Sequence, residues 1–208
     1  MGEVMKILVA CEFSGIVRDA FRKRGHDAWS CDILPTESGP TYHYQCDVLE
    51  ILNNGWNMMI AHPPCTYLSN CGAARLYPQK GVLNQTRYAK GLCAKEFFMK
   101  LYNANIFLIA VENPVPTKIF NLPTYSQIIQ PYEYWHPFSK KTCLWLKGLP
   151  NLAPTEIIKE NIISWVSGGS KDNYGNKRKQ SGTKFRDSKM RSKTFQGIAD
   201  AMAEQWGK

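Results

Sequence analysis

The sequence predicts an α/β protein, with one mostly parallel, twisted sheet flanked by helices in a Rossmann-like arrangement. Two observations carry this expectation. Short apolar runs alternate with longer amphipathic stretches over the first two-thirds of the chain, as strand–helix–strand units do. Each of the first four apolar runs ends in small, polar or charged residues, where a strand would hand over to a loop. Composition agrees. The 208 residues suffice for one domain, and 44% hydrophobic with 21% charged residues is the balance of a globular chain.

The first strand is expected at 6–10, where Ile7, Leu8, Val9 and Ala10 follow one another. A helix over 15–24 comes next, with Ile16, Ala20 and Phe21 on one face and basic residues on the other. Strands at 27–31 and 58–61, a helix over about 84–102 and a strand at 107–112 continue the alternation. A short helix at 118–121 and a strand at 142–146 follow. The last helix, 194–206, sets Phe195, Ile198, Ala199, Met202 and Trp206 at helical spacing, a stripe that belongs to the core. Pro and Gly cluster at 35–40, 114–116, 131–137 and 148–154 and mark loops.

Several classes are disfavoured. Seven cysteines at irregular spacing, with no Cys-x-x-Cys pair, make neither a disulfide framework nor a zinc site, so no metal is expected. No apolar run approaches the roughly 20 residues that cross a bilayer, and the amino terminus lacks a signal-peptide layout. A soluble, cytoplasmic protein is expected, with no membrane partner. The formal charge is +9, from 26 basic and 17 acidic residues, which points to a polyanionic partner. Much of the excess lies at Lys171, Lys177, Arg178, Lys179, Lys184, Arg186, Lys189, Arg191 and Lys193, against Asp172 and Asp187. Residues 164–192 therefore read as a mobile basic loop grafted on a single domain spanning 1–208.

Open α/β sheets bind ligands at the carboxyl ends of their strands, and the chemically interesting residues fall there. The first strand leads into Cys11, Glu12, Phe13, Ser14 and Gly15, a strand–glycine–helix turn that is a weak signal alone. Asp32, after the second strand, stands where a carboxylate would take a ribose hydroxyl, and Asp47 is a similar candidate. In His62-Pro63-Pro64-Cys65, two prolines stiffen the loop and fix where the cysteine points. A thiol so held suits a nucleophile if a nearby cation lowers its pKa, but this run alone leaves an inert buried thiol equally open. Glu112 follows Leu108, Ile109, Ala110 and Val111, against apolar surface that would keep it protonated and able to donate; a structural carboxylate is equally open. Lys140 and Lys141 supply fixed cations just before a strand.

Taken in order, these pieces resemble the cytosine-5 DNA methyltransferase family, in a short, phage- or prophage-like form without a full target-recognition domain. The resemblance covers most of the chain and rests chiefly on Pro63-Pro64-Cys65 and Glu112-Asn113. It implies an S-adenosylmethionine-dependent methyltransferase domain acting on nucleic acid, with DNA the expected substrate. It further implies cofactor contacts at Phe13, Ser14, Gly15, Ile16, Asp32, Ile33, Asp47 and Pro63. Cys65 becomes the nucleophile, Glu112 the contact to ring nitrogen 3, and Lys140 and Lys141 the cations of the family's basic motif. Substrate contacts are implied for Pro64, Ser69, Asn113, Lys177, Arg178, Lys179 and Arg186, and the segment from Arg191 packs back on the cofactor side. Val17 replaces the second glycine of the first motif, Thr66 the usual glutamine, and Pro114 the usual valine. The lysines lack the bidentate geometry of the family's arginines. Low or short-site sequence specificity follows. An exocyclic-amino methyltransferase wants Asp or Asn before Pro-Pro and an aromatic after it, where this chain has His62 and Cys65. The same chemistry on RNA or a free nucleotide, and a non-catalytic nucleic-acid binder, stay open at this point.

Overall fold

In a computed structural model of the chain, residues 3–165 and 192–208 are described. Seven strands form one sheet in the order β3-β2-β1-β4-β5-β8-β6. They are β1 (Lys6–Ala10), β2 (Asp27–Asp32), β3 (His43–Gln45), β4 (Met58–Ala61), β5 (Leu108–Pro114), β6 (Gln127–Ile129) and β8 (Thr142–Lys147). β1 pairs in parallel with β2 and β4, β2 with β3, and β4 with β5. β8 runs antiparallel between β5 and β6. The chain thus winds outward from β1 in both directions. The strand order reverses between β1 and β4, which is where such sheets open a crevice at their carboxyl ends.

The central strands are apolar throughout because both faces are covered. Ile7, Val9, Met58 and Ile60 face one core, shared with α1 (Ile16–Lys23) and α4 (Gln196–Trp206). Leu8, Ala10, Met59 and Ala61 face the other, shared with Leu76 of α2 (Ala73–Leu76) and with Phe98 and Leu101 of α3 (Gln85–Tyr102). The period-2 alternation of strand side chains splits one run between two cores. Truncating Ile60, with no exposed surface, to alanine would cost about 2–5 kcal/mol.

The expected strands at 6–10 and 58–61 appear with those bounds, and the others shift by one or two residues. The short β3 and β6, and β7 (Phe138–Ser139) paired with β9 (Ile163–Ser164), are too brief to show a period in sequence. The segment expected as a helix at 118–121 is one 3-10 turn, Lys118–Phe120, closed by Asn121 at φ 45°. On α1, Arg18, one of the basic residues set opposite the apolar face, is itself buried. Its guanidinium is satisfied by Ser30 Oγ at 3.1 Å, Asp19 Oδ1 at 2.8 Å and the Ser38 hydroxyl, which makes burial of the charge tolerable. Among the described residues, no helix is long and apolar enough to cross a membrane.

Candidate active site

β4 ends at Ala61, and the His62 amide continues its ladder by donating to Ala10 O at 2.9 Å. Pro63 is buried and Pro64 exposed. Beyond them Cys65 is half-buried at the head of a tight turn, its carbonyl accepting from Leu68 N at 3.2 Å and Ser69 N at 2.9 Å. Asn113 of β5 ties this turn down: its Nδ2 donates to Pro63 O at 3.1 Å. The Ser69 hydroxyl takes the Cys71 amide at 3.1 Å, so it caps the next turn. Arg87 of α3 reaches back to Thr66 O at 2.6 Å and lies over the Tyr67 ring, with Lys90 nearby. The motif-based reading of the sequence misses these two cations beside the cysteine loop. A signal for them exists, since Arg75, Lys80, Arg87, Lys90, Lys95 and Lys100 face only Glu96 between 71 and 100.

Glu112, on β5, points its Oε2 at His62 Nδ1, 3.0 Å away, with the two side chains only 13% and 8% exposed. Burial works against its charge. The His62 hydrogen bond, the Lys140 ammonium and the Thr142 hydroxyl outweigh that and hold the carboxyl below its ordinary value. Glu112 is therefore a carboxylate at neutral pH, which corrects the expectation that apolar surroundings keep it protonated. The same groups act on Cys65. Burial first, then the Glu112 charge, push its thiol up, while Lys140 pulls it down. Lys140 is thus the cation that serves both groups. Lys141 is exposed, and its charge acts on Cys143.

At the end of β1, Cys11 takes a left-handed conformation, φ 58°, and Glu12 turns inward. Its carboxylate accepts from Val17 N at 2.8 Å, Arg18 N at 3.3 Å and Ser14 Oγ at 3.2 Å. Glu12 thereby supplies the amino-terminal cap of α1 that Gly15, with φ 75°, cannot. The sequence motif sets Phe13, Ser14, Gly15 and Ile16 around a ligand and gives no sign that Glu12 occupies this helix end. A side chain at Gly15 would collide with Ser38 and Arg18.

Asp32 and Asp47 converge on Cys11, whose thiol is pushed up to about 12 by burial and then by these two charges. Asp32 also holds the Leu34 amide at 2.9 Å and Asp47 the Leu49 amide at 3.0 Å. Ile33 between strand end and loop is 74% exposed. A narrow cavity of about 50 Å3 lies at the switch point, lined by Cys11, Glu12, Phe13, Ser14 and His62 on one side. Ser192, Lys193 and Thr194 close the other side, and Lys193 pairs with Glu37 at 2.5 Å. The structure thus gathers Phe13, Ser14, Asp32 and Asp47 on one side of His62 and Cys65, Glu112, Asn113 and Lys140 on the other. Lys177, Arg178, Lys179 and Arg186 lie outside the described residues. A larger cleft, about 570 Å3, opens at the amino ends of the strands between Val4, Trp56, Phe107 and Lys147, far from these groups.

No protein-family model and no curated protein matches the chain. Among solved structures it is similar to one described as a DNA modification methyltransferase encoded within a prophage of E. coli. That likeness has 13% identity and a TM-score of 0.45, covering 77% of this chain and 53% of that one. It is also similar to the Entamoeba histolytica methyltransferase EhMeth, at 12% identity and TM-score 0.45, covering 76% of this chain and 58% of that one. Against the S. pombe Dnmt2 methyltransferase the values are 12% and 0.44, with coverage of 72% and 51%. The chain spans about half the length of the structures it matches.

Proposed function

We propose that the chain transfers a methyl group from S-adenosylmethionine to carbon 5 of cytosine in nucleic acid, with DNA the preferred substrate and Cys65 the nucleophile. What supports this reading above all is the place of the thiol, held in a Pro-Pro turn at the sheet's switch point beside Lys140, whose charge pulls it down against burial and the Glu112 carboxylate. A structural cysteine needs no such cation.

The crevice residues fit the cofactor by chemistry. Asp32 and Asp47 offer carboxylates to a cationic, hydroxyl-bearing nucleoside, and the exposed Ile33 offers an apolar surface to its base. Lys193, Ser192 and Thr194 stand across from Ser14 for a carboxylate end. When bound, the cofactor supplies an electrophilic methyl group.

Cytosine carbon 5 is a weak nucleophile. Addition of the Cys65 thiolate to carbon 6 makes the ring enamine-like and able to take up the methyl at carbon 5. Lys140 favours the thiolate and is the cation that answers the negative charge growing on the ring. Glu112, ionised, accepts from the exocyclic amino group, the donor that marks cytosine. Arg87 and Lys90, with the basic residues between 171 and 193, supply phosphate contacts that position without reading sequence.

Tritiated-methyl transfer to duplex DNA, single-stranded DNA, RNA and deoxycytidine nucleotides tests the reading. Label at cytosine carbon 5 of DNA is expected, reduced about 10³-fold or more in Cys65→Ser. Label on RNA or nucleotides alone would reassign the substrate, and undiminished transfer by Cys65→Ser would sink the mechanism.

A further inference from the structure

The cycle above ends with a step that none of the residues so far assigned performs. After methylation, carbon 5 still carries its hydrogen, and that proton must leave before carbon 6 can expel Cys65. Among the described residues, one group is placed for this work. His62 Nδ1 lies 3.0 Å from Glu112 Oε2, and an ionised carboxylate there can only accept, so Nδ1 carries the hydrogen. In the neutral ring, that tautomer leaves a lone pair on Nε2. Nε2 is buried, has no hydrogen-bond partner among the described residues, and belongs to a side chain lining the switch-point cavity with Ser14 and Thr194. A buried nitrogen with an unused lone pair is costly unless it has a task. Its position is rigid: the His62 amide is fixed to Ala10, the next residue's carbonyl to Asn113, and Cys65 follows two prolines later. His62 therefore stands between the cofactor side of the crevice and the cysteine side, where carbon 5 and the incoming methyl meet under the proposed reading.

Resting on that reading, we propose that His62 is the catalytic base of the elimination step, oriented by Glu112 in a carboxylate–histidine pair. Nε2 takes the carbon 5 proton. The electrons of the broken C–H bond form the carbon 5–carbon 6 double bond, and the carbon 6–sulfur pair leaves with Cys65 as thiolate. The imidazolium, stabilised by Glu112, then releases its proton to solvent. Among the described residues, the charged and titratable groups that face His62 are Glu112 from β5, Cys11 and Glu12 from the end of β1, and Lys193 from the returning chain, with Lys140 acting on its partner Glu112.

The decisive experiment pairs a trap with turnover, using the full chain. An oligonucleotide carrying 5-fluorocytosine, whose fluorine cannot leave as a cation, stops the reaction at the methylated Cys65 adduct. His62→Asn keeps an amide donor toward Glu112 and removes Nε2. It is expected to form the fluorocytosine adduct within about threefold of the wild-type rate. Its turnover on ordinary cytosine should fall at least about a hundredfold, with the methylated adduct accumulating. No adduct in the wild type would overturn the proposed function itself. A wild-type adduct with undiminished turnover in His62→Asn would overturn only the role of His62, as would a folded variant unable to form the adduct. Should His62→Asn not fold, His62→Gln decides by the same pair of measurements: an adduct with turnover lost at least about a hundredfold is expected, and undiminished turnover would overturn the assignment.

Discussion

Two buried carboxylates flank His62 and behave oppositely. Burial disfavours the charge of each. Glu12 remains above its ordinary value even though it accepts two backbone amides and a serine hydroxyl, with His62 acting only through its charge. Glu112 falls below its ordinary value, because a direct imidazole hydrogen bond and the Lys140 ammonium join the Thr142 hydroxyl. The His62 charge and the helix-end amides together do not offset the desolvation of Glu12, whereas a direct imidazole hydrogen bond joined by the Lys140 charge offsets that of Glu112. One carboxylate is left to hold backbone and the other to meet chemistry.

Lys140→Met should break the contrast most. It removes the cation shared by Glu112 and Cys65, and methyl transfer is expected to drop about 10²–10³-fold, measured as kcat on DNA. Glu112→Gln should follow, with a loss of about 10²-fold and a changed pH profile, because an amide neither fixes the His62 tautomer as a carboxylate does nor stabilises its charged form. Glu12→Ala acts on stability. Without its cap on Val17 and Arg18, unfolding free energy should fall by about 1–2 kcal/mol, read from a urea titration. The two acids also give opposite pH signatures. Glu112, lowered in the fold, contributes stability present above its unfolded value of about 4.5 and lost as pH falls through the folded value. Glu12, raised in the fold, binds its proton more tightly there, so its contribution declines as pH rises from 4.5 through the folded value. Urea midpoints between pH 3 and 6 should therefore depend less on acid in Glu112→Gln and more in Glu12→Gln than in the wild type. The smallest effect belongs to Lys141→Met. That exposed side chain acts on the buried Cys143, and transfer should stay within about twofold of wild type.

The parallel sheet was legible because β1 and β4 are unbroken apolar runs, and a strand buried on both faces must be. β3, β6, β7 and β9 were not, since two or three residues carry no period. Around the candidate site, the chain positions of Cys65, Glu112 and Asp32 could be read from strand ends. Their electrostatic state could not. Glu112 owes its ionised state to His62 fifty residues before it, to Lys140 just ahead of the neighbouring strand and to Thr142 at its start, contacts that only the folded sheet creates. Arg18 teaches the same lesson: its helical position reads as solvent-facing, and Ser30 and Ser38, brought close by β2 and the loop after it, turn it inward.

The stretch between Trp165 and Phe195 is bracketed by their own rings, which meet at 4.9 Å and share Phe138 at 4.7 and 5.7 Å. The Gly197 amide, donating to His136 Nε2 at 3.0 Å, fixes the far bank. A chain whose two ends are clamped together can change length between them at little thermodynamic cost, since closure entropy grows only with the logarithm of loop size. Insertions placed between these two anchors should therefore lower the stability of the sheet only slightly, each doubling of length costing about 0.6 kcal/mol.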